Sequence, residues 1–150
     1  LGAQLFNSFL AITQTPQALA EWVQGTGYAP LWILTIMLLT YLVFGCVMDS
    51  LSMILLTIPI FFPIIEALDF GMTPEETAIW FGILALIVVE VGLITPPVGM
   101  NLFIIHSMAR GVPITATYRG VAPFVASDLI RVVVLVSAPV LSLGLVRLMF

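Results

Sequence analysis

Two short stretches of this chain carry residues able to do chemistry. The first, GCVMDSLS over residues 45–52, sets Gly45, Asp49, Ser50 and Ser52 inside a long apolar run. A carboxylate, two hydroxyls and an accessible glycine backbone are the oxygen donors that a hard cation such as sodium prefers. A carboxylate at membrane depth is expensive and usually functional, as ion ligand, proton carrier or partner of an arginine. Asp49 or Ser50 can equally cap the amides of a helix starting there, and capping is compatible with ion binding. The second stretch, VEVGLITPPVGMNLF over residues 89–103, concentrates Gly92, Thr95, Pro96, Pro97 and Gly99 within eight residues. The two prolines bring no amide protons, so at least two carbonyls one turn earlier lose their helical donors. The bland reading is a kink satisfied by neighbouring helices. The sharper one is a broken helix whose unwound carbonyls hold a cation while half-helix N-termini face an anionic substrate.

Other candidates are weaker. Glu90 lies one turn before the break and reads as a carboxylate near a polar cavity. His106 stands alone on an apolar stretch and reads as a packing residue. Cys46 is the single cysteine, which leaves no disulfide framework and no multi-cysteine metal site within the chain. Neither a serine, histidine and aspartate constellation nor a glycine-rich phosphate loop occurs, so the sequence does not read as an enzyme or an ATP-driven protein. With four Arg, no Lys and no basic cluster, nucleic acid is not a plausible partner.

The elements that position these residues are set by composition. Of 150 residues, 61% are hydrophobic and 8% charged, and mean hydropathy is +1.22. Soluble domains carry about a quarter charged residues. Four cations and eight acids cannot cover a water-facing surface, so lipid must solvate much of the chain. The chain starts at Leu1 without a secretory signal pattern, which reads as a piece of a longer polypeptide.

The expected fold is an all-α membrane protein. Residues 1–29 mix Gln4, Asn7, Gln14, Gln17, Glu21 and Gln24 with apolar positions and suit an interfacial or partly buried connecting segment. Residues 30–65 run apolar on both sides of Asp49. The second limb, about 15 residues or roughly 22 Å long, is short against a hydrocarbon core of about 30 Å. A re-entrant hairpin with its polar tip inside the membrane fits better than two spans. Residues 66–77 form an acidic loop in which Thr73, Pro74 and Glu76 read as N-cap, first and third positions of a helix. Residues 78–109 form a discontinuous transmembrane helix, 110–120 a loop with Arg110 and Arg119, and 121–150 a C-terminal transmembrane helix. In that last helix Asp128 and Arg131 can pair at a spacing of three. The loop with two arginines and no acid faces the cytoplasm, which puts the acidic loop and both hairpin ends outside. Arg147 then falls outside too, as a mild exception.

The run GCVMDSLSMILLTIPIFFPI, then GLITPPVGMNLF, then Pro123 and Phe124 opening a last helix, is similar to the C-terminal half of the large membrane subunit of TRAP (tripartite ATP-independent periplasmic) transporters. The match extends from about Gln14 to the end. The resemblance implies half of an elevator-type carrier with inverted repeats, in the bacterial inner membrane. Sodium would lie between hairpin tip and helix break at Gly45, Asp49, Thr95, Gly99 and Met100. Substrate would lie beside Ser50, Ser52, Pro96, Pro97 and Asn101. The resemblance also implies as partners a small membrane subunit, a periplasmic substrate-binding protein, the N-terminal half of the same subunit, and a small organic acid such as a dicarboxylate, sialic acid or a sugar acid. The competing readings are a noncatalytic membrane scaffold or docking module, and a proton-coupled carrier.

Overall fold

A computed structural model describes residues 2–96, 98–108 and 111–149. Among them are eight helices and no strand: α1 (Gly2–Thr13), α2 (Thr15–Gly25), α3 (Pro30–Gly45), α4 (Ser50–Glu66), α5 (Pro74–Ile94), α6 (Met100–Met108), α7 (Ile114–Ser137) and α8 (Val140–Met149).

The two limbs of the hairpin are α3 and α4. Pro30 opens α3 at a position where a missing amide costs nothing. The turn 46–49 reverses the chain, and Asp49 caps α4 by accepting from the Ser52 amide at 2.9 Å. Between the limbs, the Tyr41 and Thr57 hydroxyls are hydrogen-bonded at 3.0 Å. The Tyr41 ring meets Phe61 edge-on with centroids 5.1 Å apart. Helix α5 starts with a full capping box: Thr73 Oγ1 accepts from Glu76 N, and Glu76 Oε2 accepts from Thr73 N. It then runs through the centre of the molecule, burying Trp80, Phe81, Leu84, Ala85, Val88 and Val89 against α3, α4, α7 and α8. By contrast α7 buries only Val132 among its described side chains, which leaves most of its surface for lipid or protein.

Two extents differ from the sequence expectation. The connecting segment holds α1 and α2, a pair of helices laid on α4 and kinked where Gln14 takes a left-handed φ of 52°. The C-terminal helix is not continuous over 121–150. It begins earlier, after Pro113, and is cut by Pro139, whose ring cannot follow a helical residue without strain on Ala138. Arg110 lies outside the described residues. Asp128 and Arg131 pair at 2.9 Å, as their spacing suggests. Arg147 reaches Glu76 at 2.6 Å, so the end of α8 sits at the same end of the molecule as the acidic loop.

Candidate functional site

The hairpin tip and the helix break meet. A Cβ on Gly45 would lie 2.9 Å from Val89 O and 3.1 Å from Gly92 Cα, and one on Gly92 would lie 2.7 Å from Gly45 Cα and 2.9 Å from Leu42 O. Two helices can approach so closely only where neither carries a side chain. Beside this crossing the buried Cys46 thiol lies 3.2 Å from Leu42 O and 3.6 Å from Thr95 O, a second tie between tip and break.

The break is built by covalent constitution. Pro96 has no amide to return to Gly92 O, and Pro97 has none for Leu93 O. Gly92 O is recovered by the Thr95 amide at 3.0 Å, a tighter final turn. For Leu93 O, no donor among the described residues replaces the missing one. Thr95 Oγ1 donates back to Val91 O at 2.6 Å, which leaves its oxygen lone pairs available. Gly99 then turns the chain with φ of 53°, and its own carbonyl starts α6 by accepting from the Leu102 amide at 2.8 Å.

The expected site residues divide by burial. Gly45 and Gly99 are buried, Thr95, Met100 and Ser50 half-buried, and Asp49, Ser52, Pro96 and Asn101 exposed; Pro97 lies outside the described residues. The structure brings Gly45 and Thr95 together through Gly92 and Cys46, with Gly99 packed on Thr95 O. Asp49 spends one carboxylate oxygen on the α4 cap, and its described hydrogen bonding stays within the hairpin. Gly92 and Cys46 make the closest contacts of the joint, and neither stands among the expected ligands. A glycine on each of two crossing apolar elements was the available signal. A cavity of about 230 Å³ opens on the joint, lined by Leu42, Val43, Cys46, Val47, Thr95, Pro96 and Val98.

Chemically the joint is an apolar crossing in which the Leu93 carbonyl has no donor among the described residues and Thr95 supplies the hydroxyl. No group of three or more His, Cys, Asp or Glu forms among the described residues. The acids nearest in sequence are Glu90, two residues from Gly92, and Asp49, four from Gly45, and both are exposed. Past the break, α6 leaves the amides of Met100 and Asn101 without intrahelical acceptors, whereas the N-terminus of α4 is occupied by the Asp49 carboxylate.

Residues 1–141 match the family model described as "Tripartite ATP-independent periplasmic transporter, DctM component". The C4-dicarboxylate TRAP transporter large permease protein DctM of Pseudomonas aeruginosa is 38% identical over 143 residues, covering 95% of this chain and 32% of the relative. The protein of the same name from Rhodobacter capsulatus is 33% identical, with 98% and 32% covered. The sialic acid TRAP transporter large permease protein SiaM of Vibrio cholerae is 32% identical, with 82% and 27% covered. The chain spans about a third of the length of these relatives.

Proposed function

The chain belongs to the DctM component family of tripartite ATP-independent periplasmic transporters, and from that premise we propose that it forms a cation-binding part of a sodium-coupled importer of small organic acids. The single observation that carries this reading is the close packing of Gly45, the last residue of α3, on Gly92, two residues before α5 ends, which sets the hairpin turn beside the helix break. Orphaned backbone groups in hydrocarbon cost several kcal/mol each, and a bound cation at the joint would offset that cost. The relatives carry names of two substrate types, C4-dicarboxylate and sialic acid, and both are carboxylate anions.

In this reading α3 and α4 enter and leave the membrane on one side as a re-entrant hairpin. The limbs of 16 and 17 residues are roughly 24–26 Å long, less than the core thickness of about 30 Å. Helix α5 has 21 residues before its break, roughly 32 Å, so a break at mid-depth requires α5 to tilt or to start above the membrane surface. Two apolar helices, α5 and α7, are long enough to cross a membrane. Sodium binding would stabilise the substrate-competent state and thereby favour movement of the hairpin and broken helix as a body, the elevator step. A ligand shifts such an equilibrium only through its differential affinity for the two states. The small membrane subunit, the periplasmic binding protein and the remaining two thirds of the permease would complete the importer in the bacterial inner membrane.

The test is uptake by the full complex reconstituted in vesicles. Uptake is expected to depend on sodium, and Asp49→Ala and Thr95→Ala are each expected to raise the sodium concentration needed for half-maximal rate. Unchanged sodium dependence in both variants would reject the site. Replacing sodium at fixed pH separates this mechanism from proton coupling.

A further inference from the structure

Helix α4 contains Pro59 and Pro63, and α7 runs into Pro139. Each proline withholds an amide from the carbonyl four residues earlier, and in an apolar surrounding that carbonyl must find another donor. Pro59 deprives Leu55 O, and Asn7 Nδ2 of α1 donates to that same carbonyl at 3.3 Å. Pro139 deprives Leu135 O, and the indole Nε1 of Trp80 in α5, whose residue is 1% exposed, donates to it at 2.9 Å. The coincidence occurs twice, on different helices and with different donors.

The Asn7 side chain shows that this donation matters locally. Its other atom, Oδ1, is buried and has no partner among the described residues. The amide orientation is fixed because Leu55 O can only accept. A plain apolar residue would avoid that unpaired oxygen, so donation to Leu55 O is what the asparagine contributes here. At the far end of α4, Gln24 Nε2 of α2 donates to Ala67 O at 2.6 Å. The pair α1 and α2 thus grips α4 by Leu55 O, orphaned by proline, and by the carbonyl of its C-cap Ala67.

We propose that Asn7 and Trp80 are positioning residues that stand in for the amides missing at Pro59 and Pro139. Asn7 binds the connecting segment to the returning limb of the hairpin, and Trp80 binds the α7–α8 corner to the central helix. The sharp consequence is a reciprocal dependence: each donor matters only while its proline is present. Restoring the backbone amide makes the side chain dispensable, which general packing would not do.

The experiment is a pair of double-mutant cycles in the full-length permease, read as thermal unfolding midpoints in detergent. Asn7→Leu is expected to lower the midpoint by roughly 2–4 °C, the shift that loss of one hydrogen bond produces. In a Pro59→Ala background the same change is expected to lower it by less than half as much. Trp80→Phe should behave likewise against Pro139→Ala. Equal losses in both backgrounds would overturn the proposal for that pair. If Asn7→Leu alone yields no folded protein, recovery of folding by adding Pro59→Ala upholds the proposal, and failure to recover overturns it.

Discussion

At the scale of single residues, Asp49 has two jobs to separate. As an N-cap it needs an acceptor oxygen for the Ser52 amide, which asparagine supplies nearly as well and alanine does not. As a cation ligand it needs its charge. Asp49→Asn is therefore expected to keep the unfolding midpoint of the parent while raising the sodium requirement of uptake; Asp49→Ala is expected to lower the midpoint as well. Wild-type sodium dependence in Asp49→Asn would leave the carboxylate with the cap alone. The cap itself was legible in sequence, as were the Thr73 and Glu76 box and the Asp128–Arg131 pair, because each is a contact within one helical turn. The crossing of Gly45 with Gly92 was not legible as a contact. Nothing local records which face of α5 meets the tip, and both helices are apolar nearly all round.

At the scale of elements, length and local chemistry gave the limbs of the hairpin and the start and break of α5. The division of the last helix escaped that reading although Pro139 was in view. Pro59, Pro63 and Pro123 all remain inside helices, so a proline alone does not decide. What differs at Pro139 is the residue before it: Ala138 leaves the helical region, with φ of -131° and ψ of 76°. The pairing of α1 with α4 was likewise hidden, since polar residues in segment 1–29 suit an interface as well as a set of donors. One element-scale consequence is measurable at the acidic end. Thr73→Ala removes one half of the box that starts α5, and is expected to cost about 1 kcal/mol of stability by denaturant unfolding. A loss within error would show that tertiary packing, with the Arg147 to Glu76 bond, starts this helix unaided.

At the scale of the molecule, α5 is the shared wall: the hairpin packs on one part of it, α7 and α8 on another, and α6 continues beyond its break. The face that α7 exposes, with Phe124, Ile130 and Val133 at 64–67%, is what a lipid-solvated helix or a subunit contact requires. Since the chain spans about a third of its relatives, ion binding must be measured on the full permease. The most direct measurement is its thermal unfolding midpoint in sodium against potassium, for the parent and for Gly92→Ala, whose added Cβ would press on Gly45 Cα. A cation bound to the native joint raises the midpoint as its concentration rises. The expected result is a sodium-specific rise in the parent that Gly92→Ala abolishes. A midpoint indifferent to sodium, or an equal rise in Gly92→Ala, would contradict the assignment of the cation to the meeting of tip and break.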